Sequence, residues 1–167
     1  MKRLGWVVGC ALLLGIGSRT PATAQQRDEE LTRDWIVHAG LFMPQRGAAR
    51  DAKGNVWFTA GVERPVFEVD RWRATFGLDY YGAGEVYNFP ITINLRGDTQ
   101  GIRFGGGVGV GISHDLTRGM RGVAYNFLLG YELTHGLNPL TADLRYMGLT
   151  TGGGQLNGLA LTLGYRF

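Results

Sequence analysis

Strict alternation between apolar and small or polar residues recurs eight times in this chain, and it constrains the fold more than any other feature. In the last stretch, "LALTLGYRF", Leu159, Leu161 and Leu163 share one face of an extended strand with Tyr165 and Phe167. Turn residues separate the segments, and no segment keeps a helical period. The eight predicted strands are Asp34–Met43, Val56–Val66, Trp72–Tyr81, Tyr87–Leu95, Gly101–Ser113, Gly122–Thr134, Leu140–Met147 and Gln155–Phe167.

The two faces of these strands differ in chemistry, and this difference indicates which face lies inside. The apolar faces carry no charge across their middles, as contact with lipid requires. The opposite faces are mostly Gly, Ala and Thr with scattered charges, which would make a poor coat in water but would fill a narrow lumen. A lipocalin-like soluble barrel would need the reverse arrangement. The pattern therefore predicts an all-β fold: an eight-stranded antiparallel up-and-down transmembrane β-barrel over residues 34–167.

Strand number and length fit this prediction. A tilted membrane strand needs about 9–11 residues. An even number of strands lets the barrel close, so that no unpaired strand edge is left in the hydrocarbon. The alternation continues to Phe167, which we expect if the last strand pairs with the first.

The N-terminal residues predict a cleaved signal peptide over residues 1–24. Lys2 and Arg3 precede an apolar stretch, Trp6–Ile16, which is too short to span a bilayer, and Ala22-Thr23-Ala24 is a small-x-small cleavage site. Cys10 lies too early in the apolar stretch for a lipoprotein signal. Residues 25–33, "QQRDEELTR", are then a short periplasmic segment ahead of the barrel.

Composition excludes several classes of function. Cleavage after Ala24 removes 3 of the 17 basic residues and leaves 14, equal to the 14 acidic residues, so no electrostatic footprint for nucleic acid remains. The cleaved chain has no cysteine for a disulfide, a zinc site or a nucleophile. Its histidines share no ligand spacing. We therefore expect no cofactor and no metal; the barrel itself is expected to be a monomer.

Several stretches resemble a known family. Leu161-x-Leu163-x-Tyr165-x-Phe167 resembles the assembly signal of bacterial outer-membrane barrels. With "FGLDYYGAG", "FGGGVGVGIS" and "LTADLRYMGL", the chain resembles the small eight-stranded barrels of the outer membrane protein A, X and W type. The resemblance implies a Gram-negative outer membrane, contact with its lipid and lipopolysaccharide, and insertion by the barrel-assembly machinery.

The resemblance also implies short periplasmic turns and longer outer loops. The turns are expected near Glu68–Arg71, Arg96–Gln100 and His135–Asn138. The outer loops are expected near Pro44–Gly54, Gly82–Val86, His114–Met120 and Gly148–Gly154. All four loops are short for this class, which argues against an adhesin.

Charged residues on the inward faces are the first candidate site. They are Glu63, Arg73, Asp79, Arg96, Arg103, Glu132, Asp143, Arg145 and Arg166. Hairpin geometry predicts that Glu63 pairs with Arg73 and Arg103 with Glu132. Because buried charges must be paired, nearly equal numbers of each sign favour a network that plugs the lumen. The alternative is a charge-lined ion pathway.

A glycine wall, consisting of Gly105, Gly107, Gly109 and Gly111, is the second candidate site. These glycines remove side chains from one side of the lumen. We expect bulky inward residues such as Phe42, Trp57 or Tyr81 to fill the space. The alternative is a cavity for a small apolar ligand or lipid chain, which would make the barrel a conduit or a binding site for small hydrophobic molecules.

Hydrolytic chemistry is the third possibility, since some eight-stranded outer-membrane barrels modify lipid A with Ser and His. Ser113 is the only serine after the signal peptide, and its neighbour His114 would point to the opposite face. His38 and His135 are expected at the periplasmic side. The sequence therefore favours a non-enzymatic envelope role over a lipid A-modifying enzyme.

Overall fold

The computed structural model describes residues 35–114, 116, 118–134 and 138–167. The predicted signal peptide and the segment 25–33 lie outside the described residues, as do Asp34 and His135. The described chain forms eight strands, one short helix and one 3-10 turn, Gly152–Gly154. In chain order, the strands and the helix are β1 Ile36–Pro44, α1 Gly47–Lys53, β2 Trp57–Val69, β3 Trp72–Ala83, β4 Val86–Thr99, β5 Ile102–His114, β6 Gly119–Glu132, β7 Leu140–Leu149 and β8 Gly158–Arg166.

The strands form a closed barrel in chain order, each antiparallel to its neighbours. Closure is made by β1 and β8, whose register runs from Ile36 opposite Arg166 to Pro44 opposite Gly158. Just beyond β1 and β8, the backbones of Trp35 and Phe167 exchange hydrogen bonds of 2.9 and 3.0 Å. The predicted fold class is therefore confirmed, with β8 pairing with β1 as expected.

The outward face of the barrel is apolar. Large apolar side chains of the predicted faces are exposed there, among them Ile93, Val108, Phe127, Leu129 and Leu163. In the part of the chain that the structure describes, no helix is long and apolar enough to cross a membrane, and this finding does not bear on a crossing by strands.

Tight turns mark one end of the barrel, the turn end, where β1 begins and β8 ends. Asp70 and Gln100 take positive φ values of 52° in the β2–β3 and β4–β5 turns. The turn predicted near Arg96–Gln100 is present but shorter, at Gln100 and Gly101, because β4 continues to Thr99 and pairs with β5 from Tyr87 onward. Gly97 and Asp98 resemble turn residues in the sequence, but the ladder pairs them with Phe104 and Arg103.

The opposite, loop end carries the longer connections and α1. The helix Gly47–Lys53 lies in the β1–β2 loop and buries Ala49 completely. Seven residues are too few to show a helical period in a sequence, so the pattern missed it. The predicted β3–β4 loop, Gly82–Val86, is shorter than expected, since Ala83 already pairs with Val86.

Candidate functional site in the barrel lumen

Glu63 lies at the centre of a buried hydrogen-bond network and is fully inaccessible to solvent. Its Oε1 accepts hydrogen bonds from Arg96 Nη2 at 2.7 Å and from Arg145 Nη1 at 3.1 Å. Its Oε2 accepts from Arg96 Nε at 3.2 Å and from Thr75 Oγ1 at 3.1 Å. Charge-assisted, two-pronged arginine–carboxylate pairs of this kind are the strong hydrogen bonds of proteins.

Two asparagines close a ring through this carboxylate. Arg96 Nη1 donates to Asn126 Oδ1 at 3.0 Å, and Asn126 Nδ2 donates to Asn94 Oδ1 at 2.8 Å. Asn94 Nδ2 donates to Thr75 Oγ1 at 3.2 Å, and the Thr75 hydroxyl donates to Glu63 Oε2, which completes the ring. Sequence reasoning missed both asparagines, although their inward positions opposite Gly107 could have indicated them.

Arg145 joins carboxylates of two other strands, β2 and β3, to one on its own strand, β7. Besides Glu63, its guanidinium lies 3.4 Å from Asp143 Oδ2 and 3.6 Å from Asp79 Oδ1. Asp79 Oδ1 also lies 2.6 Å from His38 Nε2, and Arg145 Nη1 lies 3.1 Å from the same ring nitrogen. Because Arg145 is almost completely buried, these contacts are made away from water.

The two ion pairs predicted from hairpin geometry are wrong. Arg103 Nη1 contacts both oxygens of Asp143 at 2.9 Å, while Glu132 Oε1 accepts from Arg166 Nη2 at 2.6 Å. Arg73 Nη2 donates to Glu68 at 3.2 Å, not to Glu63.

Strand register explains these differences. The β2–β3 register places Glu63 opposite Gly77, while Arg73 lies opposite Glu68, close to the turn. Arg103 lies opposite Gly130, and Gly130 lies opposite Asp143, so Arg103 reaches its partner on β7 across a glycine.

The glycine wall is inward, as predicted, but its neighbours differ from those expected. A Cβ at Gly107 would meet the side chains of Asn94 and Asn126, and one at Gly111 would meet Leu149 and Asn88. At Gly105 and Gly109 it would meet the backbone of β4. Short amides, one leucine and the neighbouring backbone therefore lie against the wall.

Phe42, Trp57 and Tyr81 instead form an apolar cluster at the loop end. The ring centroids of Phe42 and Tyr81 lie 4.4 Å apart, and those of Phe42 and Trp57 lie 5.6 Å apart. The other buried members include Ala49 of α1 and Leu156 of the β7–β8 loop. The expectation that these aromatic rings fill the space beside the glycine wall is therefore wrong.

A cavity of about 460 Å³ opens at the turn end. Its lining combines five arginines with three acidic residues. The lining residues are Ile36, Glu68, Asp70, Arg71, Arg73, Thr75, Arg96, Gly97, Asp98, Arg103 and Arg166. None of the four glycines of the wall lines this cavity.

The residues considered for hydrolysis do not form a relay among the described residues. Ser113 Oγ donates to the Met120 carbonyl at 3.2 Å, and the His114 ring lies against the Tyr87 ring, with centroids 6.3 Å apart. His38 is held by Asp79 in the buried network. Across residues 35–167, apart from the positions outside the described ranges, no group of three or more His, Cys, Asp or Glu could hold a metal ion.

The proposed assembly residues lie on the outward face of β8. Leu161, Leu163, Tyr165 and Phe167 are all more than two-fifths exposed, and the rings of the last two stack at 6.2 Å. Their recognition by an assembly machinery stays a prediction.

An eight-stranded closed barrel with an apolar exterior and a polar interior is the fold of the small outer-membrane β-barrels. A solved structure shares it: the Yersinia pestis outer membrane protein Ail in a phospholipid bilayer nanodisc, with a TM-score of 0.54 and 12% identity over 80% of this chain and 99% of that one. No protein-family model matches the chain, and no curated protein matches it. At this identity the likeness concerns the fold.

Proposed function

We propose that the protein is a bacterial outer-membrane β-barrel with a structural, non-enzymatic role in the envelope and a lumen closed to solutes. The buried network around Glu63 and Arg145 is the observation that supports this most strongly. The exposed apolar face supports the membrane location, because a soluble protein rarely exposes so continuous an apolar surface. With short turns facing the periplasm, the loop end faces outward.

The charge balance of the network favours a plug over an ion pathway. Three arginines, Arg96, Arg103 and Arg145, contact three carboxylates, Glu63, Asp79 and Asp143. An ion pathway would need a line of one charge sign beside water. Here opposite charges contact each other directly at the centre of the lumen.

The apolar cluster supplies a second closure at the loop end. Phe42, Tyr81 and Leu156 are completely buried beneath the outer loops. A solute would have to displace both this cluster and the charged network. The conduit alternative gains no support from the glycine wall, because Asn94, Asn126 and Leu149 lie against it.

Single-channel recording in a planar bilayer tests the closed lumen. The refolded wild-type protein should insert without discrete openings. Arg145→Ala removes the side chain at the centre of the network, and Arg121→Ala removes an exposed arginine near the loop end as a matched control. Reconstitution of each variant is verified beforehand by the gel mobility shift between the folded and boiled chain.

A silent wild type and a silent Arg121→Ala variant support the proposal. Leak confined to Arg145→Ala would show that the charged network closes the lumen and that the apolar cluster alone does not. Discrete openings in the wild-type protein would overturn the proposal and restore the ion pathway or the conduit.

A further inference from the structure

The cavity at the turn end is built differently from the rest of the lumen. Its inner part contains Arg96 and Arg103, which are only 6% and 7% exposed, beside the buried Ile36 and Thr75. Their carboxylate partners, Glu63 and Asp143, do not line the cavity. The inner part therefore exposes guanidinium N–H groups to the cavity, while the carboxylates that neutralise these groups lie outside the cavity lining.

Arg103 retains donors that the network does not use. Its Nη1 group makes both hydrogen bonds to Asp143. Within the described ranges, its Nε and Nη2 groups have no hydrogen-bond partner. A buried guanidinium with unused donors on a cavity wall is suited to an oxyanion, because its fork of N–H groups matches a carboxylate.

The rim of the cavity carries charges of both signs. Asp70 and Asp98 are exposed there, together with Arg71, whose side chain has no partner among the described residues. Carboxylates at the rim accept hydrogen bonds from ammonium or amide N–H groups. A ligand that carries a carboxylate at one end and N–H donors along its length would match both parts.

The volume indicates the size of this ligand. One water occupies about 30 Å³ of liquid, so about 460 Å³ is far more than a single inorganic anion needs. Pockets of about 300–1,000 Å³ hold drug-sized ligands, and a peptide of two or three residues falls in that size class.

We propose that this cavity is a periplasm-facing binding site for the C-terminal carboxylate of a short peptide. The carboxylate contacts Arg103, and Arg71 assists at the rim. The ammonium or amide groups of the peptide face Asp70 and Asp98. The site uses the turn end of the barrel and does not require the lumen to conduct.

Titration calorimetry on the whole barrel in detergent micelles tests this site. The probe is trialanine with a free C-terminus, compared with trialanine amide and with inorganic phosphate. Trialanine should bind with one-to-one stoichiometry, and the amide and phosphate should bind much more weakly. Arg103→Gln should weaken binding about tenfold or more, since hydrogen bonds to charged groups are among the stronger ones.

Because Arg103→Gln also removes one of the two arginine partners of Asp143, Arg71→Gln provides a second variant at an exposed position. It should lower the affinity several-fold, whereas Arg121→Gln, at the opposite end, should leave the affinity unchanged. Absence of binding by trialanine would overturn the proposal, as would equal binding of the amide or of phosphate. The calorimetry and the conductance experiment test different claims. A barrel that conducts and still binds trialanine would contradict the closed lumen but support this binding site.

Discussion

Arg103 on β5 and Asp143 on β7 hydrogen bond across Gly130, which occupies the strand between them. The register places the three residues in one row, and a Cβ at Gly130 would collide with Asp143. Two other rows repeat this arrangement. His38 meets Asp79 across Gly61, and Asn94 meets Asn126 across Gly107. Inward glycines therefore let polar side chains from next-nearest strands bond in a narrow lumen.

Gly130→Ala should destabilise the barrel by about 1–3 kcal/mol, the usual cost of overpacking a filled interior. The added methyl group would displace Asp143 and weaken its contact with Arg103. Urea unfolding of the refolded protein in detergent measures the change. Gly119→Ala is the matched control, because a Cβ there meets only ordinary contacts, the nearest at 3.8 Å. Equal stability of the two variants would contradict the role of the glycine row.

Arg145→Met should lower the unfolding free energy by about 3–5 kcal/mol, because it leaves buried carboxylates without their shared partner. Methionine keeps much of the side-chain length, so lost charge compensation dominates. Arg121→Met, at an exposed position, should change stability by less than about 0.5 kcal/mol. If the two variants unfold at the same urea concentration, the network does not stabilise the barrel.

Glu63 and Arg96 should be energetically coupled, since Arg96 donates to both carboxylate oxygens of Glu63. In a double-mutant cycle of Glu63→Gln and Arg96→Gln, the coupling should be about 0.5–3 kcal/mol. The same cycle with Arg121→Gln in place of Arg96→Gln should be additive within about 0.5 kcal/mol. Additivity in both cycles would show that the contacts between Glu63 and Arg96 contribute nothing to the free energy of unfolding.

Phe167→Ala should lower the amount of folded barrel in the outer membrane of cells more than it lowers folding of the purified chain in detergent. The reason is that Phe167 is half exposed on β8, so its loss removes little packing while altering the predicted assembly motif. Gel mobility of folded and boiled samples measures both quantities. Leu159→Ala, on the same face and also exposed, is the control. Equal loss in cells for both variants would argue against recognition of the C-terminal motif.

The period-2 pattern by itself determined the fold class, the approximate strands and the face of each strand that lies inside. It could do so because side-chain alternation is a local property of extended backbone, and the number of alternating runs sets the number of crossings. The inward placement of Glu63, Asp143 and the glycine wall follows from the same alternation. The short helix Gly47–Lys53 was missed, since one or two turns leave no period.

The tertiary structure alone decided which residues meet. Glu63 bonds to Arg96 and Arg145, and Arg103 bonds to Asp143, although hairpin counting paired them with Arg73 and Glu132. The β2–β3 register places Glu63 opposite Gly77 rather than Arg73, and side chains in a narrow lumen reach across intervening glycines to strands that are not adjacent. Which side chains pair in the lumen thus depends on the registers of several consecutive strand pairs. No single stretch of sequence contains that information.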